Sequence, residues 1–173
     1  MRATALRCSA SQPVAGTIGI GHTRWATHGV PSEKNAHPQR DCSGDFAVVH
    51  NGIIENFDVL RKRLIAAGHV FKSDTDTEVL AHLIEAAFTD NLEAAVMEAL
   101  DLVDGTYGIA VISSRDPGKI VVARNGSPLL IGLGEGENYV ASDVAAILQH
   151  TRQVVYLDDG EMAVLTRDGY RVF

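Results

Sequence analysis

The stretch YGIAVISSRDPGKIVVA, Tyr107 to Ala123, decides the fold class. Two short apolar runs, Tyr107 to Ile112 and Ile120 to Ala123, flank Asp116-Pro117-Gly118. In that turn proline presets one dihedral and glycine tolerates the left-handed one, so the stretch reads as a β-hairpin. The pattern recurs downstream in Leu129 to Leu133, Tyr139 to Ala141, Val154 to Leu157, Met162 to Leu165 and Tyr170 to Phe173. The Asp-Gly pairs at Asp159 and Asp168 are read as hairpin turns, and Ser142 as the cap of one short helix before Gln149. The run from Gly132 to Gly136 lies between strands with no following helix, so it reads as a hairpin and not a phosphate loop. The second half is expected to be mostly antiparallel sheet.

Upstream of the hairpin the apolar period is helical. Asn56 is expected to cap a helix in which Val59, Leu60, Leu64 and Ile65 follow that period, with Gly68 as the left-handed stop. Thr75 and Glu78 have capping-box spacing, opening a second helix with Val79, Leu80, Leu83 and Ile84 on one face and Asp76 at its N-terminus. Asn91 opens a third helix, reaching about Val103 and closed by Gly105. Further upstream, Ile18 to His22 and Phe46 to His50 are apolar runs read as buried strands, joined by a loop punctuated by Pro31, Pro38 and the turn Asp41 to Asp45. Residues 1 to 17 show no period and are expected to form a loosely held arm, with one domain over 18 to 173. Helices and strands that do not alternate specify an α+β fold with helices layered on sheets.

Composition excludes several classes of function. The net charge of −7, with no basic run, lacks the footprint that a phosphate backbone requires, so no nucleic-acid partner is expected. No apolar run reaches the roughly 18 residues of a membrane span, and no apolar segment follows Arg2 and Arg7, so a cytoplasmic protein without a membrane partner is expected. Cys8 and Cys42 form no disulfide framework and read as free thiols.

The chemistry concentrates between His22 and Gly52. HTRWATHG, NAHP and HNG place His22, His28, His37 and His50, four of the seven histidines, beside Arg24 and the one tryptophan, Trp25. A guanidinium fork next to Thr23, Thr27 and an aromatic wall suits a small ligand bearing a carboxylate. None of the four histidines has helical metal-ligand spacing, so they read as hydrogen-bonded structural groups, and neither metal nor cofactor is expected.

HTRWATHG, NAHP, HNGIIEN, SDTDTEV, GSPL and ASD, in this order from His22 to Asp143, resemble the glutaminase domain of the glutamine:fructose-6-phosphate amidotransferase family, within the class II amidotransferases. The resemblance implies the four-layer αββα sandwich of N-terminal-nucleophile hydrolases. It also implies L-glutamine as substrate and a sugar-phosphate isomerase domain as partner. Arg24 resembles the clamp on the glutamine α-carboxylate, with Thr27 and His28 completing that pocket. Asp76 resembles the group that holds the α-ammonium, Asn51 with Gly52 the oxyanion hole, and Trp25 the aromatic between the glutamine site and the ammonia channel.

The family's nucleophile is an N-terminal cysteine followed by segments with no counterpart here. Neither Cys8 nor Cys42 matches its position. The expectation is a domain truncated at its N-terminus and lacking the first strands, inactive alone and dimerising through exposed strand edges. The alternative expectation is a non-catalytic glutamine-binding or interaction module.

Overall fold

The computed structural model describes residues 16 to 173 apart from Ala26; Cys8 and most of the expected arm lie outside that range. Nine strands and three α-helices are formed among the described residues. The strands are β1 (Gln39–Arg40), β2 (Phe46–Ile54), β3 (Gly105–Ser113), β4 (Lys119–Asn125), β5 (Leu130–Leu133), β6 (Asn138–Ala141), β7 (Gln153–Tyr156), β8 (Met162–Thr166) and β9 (Tyr170–Val172). The helices are α1 (Phe57–Ala66), α2 (Thr77–Ala87) and α3 (Leu92–Leu100), all between β2 and β3.

Six strands form one antiparallel sheet in the order β1-β2-β3-β4-β8-β9, and a second sheet has the order β6-β5-β7. Side chains alternate across the large sheet, as the strand period requires. Val48, Ile109, Val111, Val121, Ala123 and Val164 face the helices and join Leu80, Ile84, Leu92 and Val96 in one core. Their neighbours Val49, Ala110, Val122, Ala163 and Leu165 face the small sheet and join Ile131 and Leu157 in a second core. The result is an α+β sandwich of helices, large sheet and small sheet.

Each strand expected from Phe46 onward is present, and the Asp116-Pro117-Gly118 turn joins β3 to β4. Gly68, at φ +100°, ends α1. His69 N–H bonds to Leu64 O and Gly68 N–H to Ile65 O, the paired bonds of a Schellman stop. Asn91 Oδ1 accepts from Ala94 N–H at 2.7 Å, the expected cap of α3.

Other expectations are corrected. Ile18 to His22 forms no strand among the described residues, because an apolar alternation becomes a strand only where a neighbour offers ladder partners; Ile20 packs on the second core instead. Strand β2 does not stop at His50 but runs to Ile54, so Asn51 and Gly52 lie inside the ladder, opposite Gly108 and Tyr107. Asn56 makes no side-chain cap; its amide spans Leu102 O and Asp104 N, tying α1 to the end of α3. Val59 and Ile65 are exposed, so the buried face of α1 is Leu60 and Leu64.

The Thr75–Glu78 capping box does not form. Glu78 reaches further back, accepting from Lys72 N and Ser73 N at 2.7 Å each, while Thr75 bonds to Ser73. Gly105 opens β3, after α3 has ended at Leu100, because a Cβ there would collide with Ile53 O. Asp143, not Ser142, caps the short 3-10 turn Val144–Ala146. The Asp159-Gly160 pair links β7 of one sheet to β8 of the other and is therefore no hairpin.

Candidate active site

Asn51 and Gly52 lie in the second half of β2, and Asp76 lies at the mouth of α2 directly beyond them. Ile54 N–H donates to Asp76 Oδ2 at 3.0 Å, which joins strand to helix. Asp76 is 3% exposed, and the N-terminal end of α2 supplies the positive dipole that favours a buried carboxylate. Around this junction is a cleft of about 280 Å³ whose lining includes Arg24, Trp25, Thr27, Asn51, Gly52 and Asp76. Six of the seven residues singled out by sequence therefore meet at one place. The seventh, His28, stands behind the wall, with Nδ1 3.8 Å from Asp76 Oδ2 and its ring edge on Phe57.

The loop that carries Arg24 is folded back on itself. One terminal nitrogen of the guanidinium donates to the carbonyls of His28 and Gly29; the other N–H groups bond to none of the described residues. Burial pulls the Arg24 guanidinium below its ordinary value, and the Asp76 carboxylate opposes that shift. Asn35, fully buried, pins the loop from below. Its Nδ2 donates to Val30 O at 2.9 Å and its Oδ1 accepts from Asp74 N–H at 2.9 Å, joining the loop to the segment that leads into α2. Trp25 is 77% exposed, at the rim of the cleft, which rules out a core anchor.

Gly52 is required sterically. Its φ is +129°, and a Cβ would collide with the Thr106 carbonyl of the paired strand. A chain without a side chain at this point lets the β2 backbone face the cleft.

Three further histidines complete the wall. His22 Nε2 lies 2.8 Å from Asn51 Oδ1. His50 Nε2 lies 3.2 Å from Thr106 O and its Nδ1 3.0 Å from Thr77 Oγ1; a carbonyl only accepts, so Nε2 carries the proton and Nδ1 accepts from the Thr77 hydroxyl. Burial lowers the pKa of His50, although Asp76 opposes the shift. Burial, then His22, His50 and Arg24, push His37 down to about 3. The wall behind Asn51 is thus made of neutral imidazoles.

These histidines are the structural groups expected from sequence, whereas Thr77 and Thr106 join the wall without any expectation from sequence. Thr106 is reached only through the register Ile53↔Thr106, across more than fifty residues of chain, and no local signal marks it. Among the described residues no thiol lines the cleft; Cys42 lies away from it, beside His69 and His82.

Comparison with known proteins gives one answer. A sequence model described as a glutamine amidotransferase domain matches residues 22–149. The chain is 58% identical over 171 residues to glutamine–fructose-6-phosphate aminotransferase (isomerizing) of Chlorobaculum tepidum, covering 96% of this chain and 28% of that protein. It is 55% identical over 159 residues to the protein of the same name from Thermococcus kodakarensis, covering 91% of this chain and 26% of that one. The chain thus spans about a quarter of the length of these relatives. Among solved structures, the glutamine phosphoribosylpyrophosphate amidotransferase of B. subtilis matches with a TM-score of 0.73 at 28% identity, over 88% of this chain and 33% of that one. Sequence and fold agree that this chain belongs to the glutamine amidotransferase domain family, with the class II, N-terminal-nucleophile hydrolase architecture.

Proposed function

We propose that the cleft binds L-glutamine and that the chain is the glutamine-hydrolysing part of a glutamine:fructose-6-phosphate aminotransferase, supplying ammonia for glucosamine-6-phosphate synthesis. The observation that carries this is the meeting of Arg24, Asp76 and the Asn51-Gly52 pair on one cleft. A free amino acid presents a carboxylate and an ammonium on one carbon, and a fork-shaped cation with a buried carboxylate is the matching pair. Arg24 takes the α-carboxylate, with Thr27 and His28 completing that side, and Asp76 takes the α-ammonium. The glutamine side chain then extends toward β2.

There its amide carbonyl meets the Asn51 NH2 and the Gly52 N–H. When a thiolate adds to the amide carbon, the carbonyl oxygen takes up the negative charge, and these two donors stabilise it, contributing about 3 kcal/mol each. Collapse expels ammonia and leaves a glutamyl thioester, which water converts to glutamate and the free thiol. Among the described residues the chain supplies binding, through Arg24 and Asp76, and oxyanion stabilisation, through Asn51 and Gly52. Exposure of Trp25 at the rim supports its reading as the aromatic between the glutamine site and an ammonia channel toward a sugar-phosphate isomerase domain, and the edge strands of the sheets offer a homodimer contact that sedimentation tests.

The experiment is calorimetric titration of the chain with L-glutamine, with ammonia release and intact mass measured on the same sample. Saturable glutamine binding that is lost in Arg24→Ala supports the proposal. Absence of glutamine binding overturns it. Ammonia release measured beside it reads whether the chain also turns glutamine over, and the mass identifies the form responsible.

A further inference from the structure

Further along α2 from Asp76, three separate segments bring four metal-binding side chains together. They are Cys42 in the loop before β2, His69 just after α1, and His82 and Glu85 on α2. Cys42 Sγ lies 3.7 Å from His82 Nδ1 and 3.9 Å from His69 Nδ1. Glu85 Oε2 lies 2.9 Å from His69 Nδ1 and 3.3 Å from His82 Nδ1, and all four donor atoms fall within 4.8 Å of one another. Tetrahedral bonds of about 2.0–2.3 Å set donors roughly 3.3–3.8 Å apart, the range these separations straddle.

The hydrogen bonds of the cluster leave one buried atom unpaired. The His82 ring is fully buried, its Nε2 has no hydrogen-bond partner, and that nitrogen faces Glu78 Oε1 at 3.7 Å. If a neutral His82 carried its proton on Nδ1 to serve Glu85, its Nε2 lone pair would be set against the Glu78 carboxylate. A cation on Nδ1 reverses the arrangement: the proton moves to Nε2 and points at Glu78, giving the carboxylate–histidine–metal relay common at such centres. Glu78 is held for that role by the N–H groups of Lys72 and Ser73. The sulfur is oriented as well, since Val70 N–H points at Cys42 Sγ from 3.2 Å.

We infer that Cys42, His69, His82 and Glu85 form a Zn²⁺ site. One thiolate, two imidazoles and one carboxylate are a borderline-soft set that suits zinc and not magnesium or calcium. Four protein donors leave no open position, so the ion is structural and does no chemistry. It clips the loop entering β2 and the α1–α2 connection onto α2. That holds in register the strand that carries Asn51 and the helix that begins beside Asp76. The site is independent of whether the cleft binds glutamine.

The test is metal binding by the 173-residue chain under reducing conditions, with Zn²⁺ measured by mass spectrometry and Co²⁺ used as the spectroscopic probe. The expected result is one tightly held Zn²⁺ per chain, and a Co²⁺ adduct with a thiolate-to-metal charge-transfer band that Cys8→Ser keeps and Cys42→Ser abolishes. Cys42→Ser and His82→Gln should each weaken Zn²⁺ binding by more than about 100-fold. Cys42 is exposed, so its serine variant should fold, and circular dichroism checks this. No thiolate band, or equal Zn²⁺ affinity in the parent chain and folded Cys42→Ser, overturns the inference.

Discussion

His22 Nε2 donates a hydrogen bond to Asn51 Oδ1 at 2.8 Å. The amide oxygen can only accept, so the proton must sit on Nε2 and the Asn51 NH2 is left free to donate. Burial keeps the imidazole neutral by lowering its pKa; the Asn51 bond opposes this and Arg24 reinforces it. His22 is therefore a positioning residue for an oxyanion donor. In a preparation of the intact protein that turns over glutamine, Asn51→Ala should lower kcat by about 100-fold with KM little changed. His22→Ala should give a smaller loss, again in kcat. Steady-state kinetics check both, and a loss confined to KM would reassign the pair to ground-state binding.

Arg24 and Asp76 act on opposite charges of one ligand, so their variants should differ in what they discriminate. Arg24→Lys keeps the charge and loses the fork, and should weaken glutamine binding by about tenfold or more. Asp76→Asn should weaken binding of glutamine while leaving affinity for a ligand without the α-ammonium nearly unchanged. Calorimetry with glutamine and with its deaminated analogue separates the two effects.

Gly52→Ala tests the backbone of the cleft without removing any polar group. The new methyl would meet the Thr106 carbonyl at a φ of +129°, so β2 and β3 must separate or the residue must leave its conformation. The expected cost is about 2 kcal/mol or more, read from urea denaturation. An unchanged midpoint would mean that the ladder at Gly52 yields freely.

Stability should fall with acid in a window set by the buried histidines. His37 has its pKa pushed to about 3, and His22 and His50 are also lowered, in each case chiefly by burial. A histidine whose pKa is lowered on folding takes up its proton in the unfolded chain first. Stability is therefore full above the ordinary value near 6.5 and drops as pH falls below it, for His37 by up to about 1.4 kcal/mol per pH unit. Between about pH 6 and 5 the lowered carboxylates Asp41, Asp74 and Glu78 remain charged, so histidine dominates the slope. Urea midpoints across that range should decline, and His37→Gln should flatten the decline.

Much of this architecture is legible locally. Helix periodicity, the Gly68 stop, the Asn91 cap and the Asp116-Pro117-Gly118 hairpin depend on residues a few positions apart, and each forms where it is expected. The places where local reading fails are those where a side chain has a better distant partner. Asn56 leaves its own helix for Leu102 and Asp104, and Glu78 passes over the Thr75 cap for Lys72 and Ser73. Ile18 to His22 has strand composition without a strand to pair with among the described residues.

The sequence by itself determined which residue types could hold a zwitterion and which segments are helix or strand, because both depend on side-chain chemistry and short-range spacing. Only the tertiary structure decided that Asp76 meets Ile54 and that Thr106 constrains Gly52. It alone brought Cys42 to His69, His82 and Glu85. Those relationships cross tens of residues through sheet register and helix docking, and register is settled by which face of each strand is buried, a property of the whole fold.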